Sequence, residues 1–402
     1  MIHLTKTPHS KSFTKAIFML LFTSVAFISN AQFVTNGDGT AYTFAQLANE
    51  TDQILLSGNN AALNGTVTLT GTDSLIVNAI DTLFFSSDGA LRIEGVMLAQ
   101  SATTVVFTAA DSTLGYEGIT FDESTGSIIE NIHFQHGGGV KLLYSNVQFG
   151  NCQFYKTTEV NGSGAIEMLG SNPIISNCRF IKNKRSAIAS SATAASSPQI
   201  LNCYLYRNNT ENGNRPQINL GTSDGENNII ISGNTIDGYY DEAGGISLAT
   251  LAGGSVSAIV ENNTITNNRY GLNVQGNVTV DIIGNRLIDN NIEDNPMAGG
   301  SGISFYSGTQ ATVAHNIITG NLWGITIPSE AYPNLGQIGT DTVNIGHNYI
   351  YNNSNGGTVY NLYNNSPAEI YAQNNYWGTT SSTEAALGIV DNADNSALGE
   401  VI

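Results

Sequence analysis

The stretch Asn262-Asn263-Thr264-Ile265-Thr266-Asn267-Asn268, followed by Gly271-Leu272-Asn273-Val274, decides how this chain folds. Its kernel is a short phrase: Asn or Cys, any residue, then a large apolar one. The phrase recurs upstream as Asn151-Cys152-Gln153-Phe154, Asn177-Cys178-Arg179-Phe180, Asn202-Cys203-Tyr204-Leu205 and Gly233-Asn234-Thr235-Ile236. Downstream it reads Gly284-Asn285-Arg286-Leu287, His315-Asn316-Ile317-Ile318, His347-Asn348-Tyr349-Ile350 and Asn374-Asn375-Tyr376-Trp377, and Asn131-Ile132-His133-Phe134 opens the series. Intervals run from 20 to 32 residues and average 27. A constant phrase at a variable period means a fixed turn separated by loops of differing length. Apolar residues alternate at period two, so the repeat is built of strands rather than helices.

Two further strand-like pieces fill each repeat. One starts with Gly, as in Gly245-Ile246-Ser247-Leu248, Gly302-Ile303-Ser304-Phe305 and Gly324-Ile325-Thr326-Ile327; the other precedes the phrase, as in Ile229-Ile230-Ile231 and Val280-Asp281-Ile282-Ile283. Three short strands per turn make a coil whose rungs lie about 4.8 Å apart. Equivalent Asn side chains then stack, each amide donating to the next carbonyl oxygen. A second ladder is expected five residues on, at Asn183, Asn208, Asn268, Asn290, Asn321 and Asn353.

The phrase Asn-x-Ile-x-x-Asn followed by Gly-Ile-x-Leu resembles the right-handed β-helix repeat of the pectin-lyase-like superfamily, NosD-like proteins included. Leu91 to Gly95, Val106 to Thr108 and Gly118 to Phe121 look like opening rungs, and Asn374-Asn375-Tyr376-Trp377-Gly378 like a closing motif. The resemblance implies an all-β, single-stranded right-handed parallel β-helix, a solenoid with short capping elements. The expected organisation is a signal peptide at 1–31, an N-terminal cap at 32–53, the coil at 54–378 and a C-terminal cap or tail at 379–402. Thr43 and Gln46 form a capping-box pair at the start of a short helix that would cover the first rung. A short helix or loop from Glu384 to Ile389 would close the other end.

Residues 1–31 read as a secretory signal: Lys6, Lys11 and Lys15, an apolar run from Ala16 to Ile28, then Ser29-Asn30-Ala31. Its loss would shift the formal charge from −18 to −21, because three Lys and no acid go with it. So acidic a surface repels nucleic acid and anionic membrane, and nothing after the signal suggests membrane insertion. The expected location is secreted or cell-surface, with the periplasm as the alternative. Only 11% of residues are charged, which suits an Asn-, Ser- and Thr-covered β surface.

Cys152, Cys178 and Cys203 occupy the ladder position in successive rungs. A linear thiol column matches tetrahedral zinc poorly, so it reads as buried structure. His315 and His347 share one corner of adjacent rungs, where they could pair on a metal or simply turn the chain. Asp237, Asp241 and Glu242 in one loop, and Asp289, Glu293 and Asp294 in another, could together hold Ca²⁺. Lys156, Lys182 and Arg207 are equivalent in three consecutive rungs. With Tyr155, Arg179, Tyr204 and Tyr206 on the same outward face, they suit an acidic sugar. A solvated surface would also account for them.

The catalytic segments of polygalacturonase-like relatives are missing. The leading reading is a secreted β-helix binding extracellular or surface polysaccharide, non-catalytic or structural and adhesive. The alternative is a polysaccharide lyase or glycoside hydrolase acting on an acidic glycan, and a NosD-like cargo role stands behind both. Whether the chain is an enzyme, which glycan it meets and its oligomeric state are open at this level.

Overall fold

A computed structural model describes residues 32–158, 162–339 and 343–402; the signal expected at 1–31 lies outside the described residues. Each repeat contributes three strands, for example Ile229–Ser232, Thr235–Asp237 and Ile246–Ala249. Each strand pairs in parallel with its counterpart one turn on, so Ile236 meets Ile265, then Leu287, Ile318 and Ile350. Among the described residues the Gly-initiated strands and their counterparts form one sheet of fourteen, from Gln32–Val34 to Ile389–Val390. The coil thus takes in two strands before the 54–378 span, Gln32–Val34 and Ala41–Tyr42, and Ile389–Val390 after it. At the rung spacing of parallel strands the rod is about 60 Å long.

Every second side chain points inward and is buried, and equivalent ones stack. The rings of Phe134 and Phe154 lie 4.7 Å apart, and those of Phe154 and Phe180 4.8 Å apart and nearly parallel. Such columns remove apolar surface from water along the whole rod.

The sharp corner before each ladder residue needs a left-handed backbone. It falls on Asn131, Asn151, Asn177, Asn202, Asn262, His315, His347 and Asn374, and on Gly233 and Gly284, residue types for which that conformation costs least. Past the corner, Asn263 Nδ2 donates to Asn285 Oδ1 at 2.9 Å and to the Ile231 carbonyl at 2.8 Å. The pattern runs from Asn234 through Asn263, Asn285, Asn316 and Asn348 to Asn375. The three Cys continue this column upward, free and buried, and the Cys203 amide donates to Asn234 Oδ1 at 2.8 Å. Burial pushes the Cys178 thiol up, and its two neighbouring thiols add to the shift.

The second ladder has a gap, since the fifth position after Asn234 is Tyr239. Gln217, from elsewhere in the turn, fills it: Asn208 Nδ2 donates to Gln217 Oε1 at 2.8 Å, and Gln217 Nε2 to Asn268 Oδ1 at 3.0 Å. A carboxamide one methylene longer bridges where a strict repeat fails.

The glycines opening the wide-sheet strands are there for space. A Cβ on Gly271 would stand 2.5 Å from the Gly302 carbonyl oxygen, and one on Gly302 2.7 Å from that of Gly324. Rungs this close leave no room for a side chain at that column.

Both ends are capped. Thr43 and Gln46 form the expected capping box on the helix Phe44–Glu50, which buries Phe44 and Leu47. The fully buried carboxylate of Asp73 accepts the amides of Gly37, Gly39 and Thr40, each at 2.9 Å, pinning the first loop to the next rung. At the far end Ser381 caps the short helix Ser382–Ala386, and Ile389–Val390 then joins the sheet beside Leu362–Asn364. Among the described residues no helix is long and apolar enough to cross a membrane.

Candidate functional site

The basic and aromatic residues anticipated on one face are brought together. The strands Gln153–Tyr155, Arg179–Ile181, Tyr204–Tyr206 and Thr235–Asp237 stack so that Gln153, Arg179, Tyr204 and Thr235 form one outward column. Tyr155, Ile181, Tyr206 and Asp237 form the next. Lys156, Lys182 and Arg207 sit at the turn that follows. The Arg179 guanidinium lies 5.0 Å from the Tyr204 ring, and that of Arg207 lies between Tyr206 at 4.7 Å and Tyr239 at 4.3 Å. Lys156 lies 5.2 Å from Tyr155.

The six carboxylates suggested for calcium are not brought together. Asp237 accepts from Asn267 Nδ2 at 2.8 Å, Asp241 from Asn212 Nδ2 at 2.6 Å, and Glu242 pairs with Arg269 at 2.5 Å. Glu293 accepts its own loop's Asn295 amide at 2.9 Å, Asp289 occupies a left-handed turn, and Asp294 is exposed. Among the described residues no three Asp, Glu, His or Cys gather around a metal-sized space. The physical reason is the intervening rung, whose Asn267 and Arg269 engage Asp237 and Glu242 separately. His315 and His347 both occupy left-handed corners, with ring centroids 5.3 Å apart. They line a hollow of about 770 Å³ with Tyr349, Tyr376 and Trp377 near the closing helix.

A groove of about 520 Å³ on the wide sheet was not foreseen. Its floor is the outward column Asn273, Ser304, Thr326 and Tyr363, in register over four rungs. Thr326 Oγ1 donates to Ser304 Oγ at 3.0 Å, and Asn273 Nδ2 to Ser247 Oγ at 3.1 Å. One wall is Trp323, whose ring lies 5.1 Å from Tyr363 and whose Nε1 donates to the Pro296 carbonyl at 3.0 Å. The opposite side holds Arg269, bonded through Nε to the Ala298 carbonyl and through Nη1 to Asn214 Oδ1, each at 2.9 Å. Burial pushes the Tyr270 hydroxyl well above its ordinary pKa, so it stays protonated. Among the described residues no Asp, Glu, His or Lys lines the groove. Its residues come from loops and strands spread between Asn214 and Asn365, which hides them from a motif reading. The usable signal was the run of amide and hydroxyl residues at outward strand positions beside Trp323.

The family model for a right-handed β-helix region matches residues 94–250. This chain is a right-handed parallel β-helix protein. The β-helix superimposes on a crystal structure of a double mutant of the periplasmic alginate epimerase AlgG with a TM-score of 0.57 at 11% identity, covering 87% of this chain and 85% of that one. A single-substitution mutant of the same epimerase gives 0.55 at 13% identity, covering 84% and 82%. At such identities the likeness is one of fold. No curated protein matches the β-helix.

Proposed function

We propose that this β-helix binds an extracellular polysaccharide along its wide sheet and does not cleave it. The observation that carries the reading is the groove: a floor of hydroxyls and amides in register across rungs, continued by the Tyr363 ring and lined by the rings of Trp323 and Tyr306. Aromatic faces stack on the C–H face of a pyranose, and the polar floor exchanges hydrogen bonds with its hydroxyls. The repeat of the floor also suits a repeating ligand. That the epimerase of like fold is named for alginate is in keeping with this substrate class.

Cleavage is disfavoured by what the lining lacks. Hydrolysis needs two carboxyl groups flanking the scissile bond, and elimination needs a base within reach of the proton it removes. Among the described residues the lining offers no carboxyl, imidazole or amine; its guanidinium is already engaged by three partners, Tyr270 is held protonated by burial, and Tyr306 and Tyr363 are the other phenols. The test is a glycan array followed by titration of the best polymer against Trp323→Ala and Tyr363→Ala. Each substitution is expected to weaken binding about tenfold, the scale of one lost stacking contact, with no shortened or unsaturated products. Unchanged affinity in both variants, or product release by the parent, would overturn the reading.

A further inference from the structure

We propose that the turn column Lys156, Lys182 and Arg207, with Arg179 and the tyrosines around it, is a second, separate docking surface for an acidic polysaccharide lying along the rod axis. This goes beyond the groove reading: the surface is on a different sheet, and the groove's floor lies on later rungs.

The first argument is backbone strain. Lys156, Lys182 and Arg207 all adopt φ of 51°. Their equivalents in later rungs are Gly238, Asn267, Asp289, Gly320 and Asn352, the residue types that take this conformation most readily. Long basic side chains there give up backbone energy for something other than the turn. The second argument is repulsion. The three amides donate to the carbonyls of the next rung, Lys156 to Ile181 at 3.1 Å, Lys182 to Tyr206 at 3.0 Å and Arg207 to Asp237 at 2.9 Å, so the cations rise in register. Like charges one rung apart destabilise each other. His136 holds the same position one rung earlier; burial first and then the Lys156 charge lower its pKa. His133 is lowered likewise, by burial and then by Arg179.

The third argument is concentration of charge. Eleven Lys and Arg lie beyond residue 31, and seven of them fall between Lys156 and Arg215. Glu211 takes up Arg185 and Arg215. Lys156, Arg179, Lys182 and Arg207 make no ion pair among the described residues, and Arg207 Nε is buried without a hydrogen-bond partner. Its guanidinium is nevertheless held between two tyrosine rings. The two rings thus hold the guanidinium in one orientation, a geometry that suits recognition of an anion. A polymer with one anionic group per sugar fits cations repeating once per rung, while the tyrosines meet sugar faces. The acidic remainder of the molecule repels nucleic acid and anionic membrane.

The neighbouring rungs supply the test. Lys156→Asn, Lys182→Asn and Arg207→Asn together install the residue that Asn267 and Asn352 already provide at this turn, so the coil is retained; the unfolding midpoint should hold or rise. Binding is read against polygalacturonate, a sulfated galactan, neutral dextran and single-stranded DNA at low and high salt. The expected result is salt-sensitive binding of one or both acidic polysaccharides that falls about tenfold in the triple variant, since each exposed ion pair contributes up to a few-fold. The carboxylated and sulfated arms distinguish the two anion sources. Trp323→Ala, tested in parallel, separates this surface from the groove: it should leave salt-sensitive binding in place. Equal binding by parent and triple variant, binding by neither, or DNA binding as tight as that of the acidic polysaccharides would overturn the proposal.

Discussion

Replacing Asn263 with Leu tests the ladder at its centre. Asn263 Oδ1 accepts from the Asn234 amide and from Asn234 Nδ2, both at 2.9 Å, and Asn263 Nδ2 donates to the Ile231 carbonyl and to Asn285 Oδ1. Leu has the same branched shape, is bulkier and makes none of these bonds. Asn234 Nδ2 keeps the Ile200 carbonyl, and Asn285 Oδ1 keeps the Asn263 backbone amide at 3.0 Å. The Asn234 backbone N–H keeps nothing, because a single N–H has lost its acceptor in a fully buried column. One orphaned donor costs about 1–3 kcal/mol, and the remaining bonds add about 1 kcal/mol of net loss. The expected destabilisation is therefore about 2–4 kcal/mol, offset in small part by apolar burial. Guanidinium unfolding followed by fluorescence of Trp323 and Trp377, the only two Trp in the chain, reads the lower half of the rod. Circular dichroism reads the whole, and divergence of the two would show the array parting at the weakened rung. Asn285→Leu should behave alike, because its bonding is the same. Unchanged midpoints for both variants would refute the reasoning.

Gly271→Ala or Gly302→Ala should destabilise the coil at least as much as a typical overpacking substitution, about 1–3 kcal/mol, because the added Cβ meets a backbone carbonyl oxygen of the next rung; wild-type midpoints would count against this. Asp73 loses solvation by burial, which raises its pKa, but the hydrogen bonds from Thr35, Gly37, Thr40 and Gly39 outweigh that and hold it below the ordinary carboxylate value. Its stabilisation is complete above the unfolded pKa of about 4 and is lost as pH falls through the lowered folded value. Protection of the residue 35–40 amides against hydrogen exchange, relative to the intrinsic rate at each pH, should thus fall in strong acid, and Asp73→Asn should show the lower protection already at neutral pH. The three Cys should react with a thiol reagent only on unfolding, given their burial; rapid labelling of the native protein would argue against the buried column.

The coil was legible because its determinants are local. A left-handed corner, a ladder residue and a period-two strand sit within five consecutive positions, so Asn262 to Thr266 announce the geometry without help from distant residues. The capping box at Thr43 and Gln46 is visible for the same reason, and the register of the basic face follows from counting rungs. Gln217 could not be read this way: it enters the second ladder from outside the phrase, and only the folded turn shows that its amide reaches between Asn208 and Asn268. The same holds for the acidic loops: their spacing in sequence suits a cation site, whereas in the coil Asn267 and Arg269 engage Asp237 and Glu242 one by one. The groove belongs wholly to tertiary structure, since Trp323, Arg269 and the loop at Pro296 acquire common meaning only when loops of unequal length fold against one sheet. In a solenoid the backbone repeat is set by neighbours in sequence, whereas side chains converge through loops whose paths the repeat does not specify.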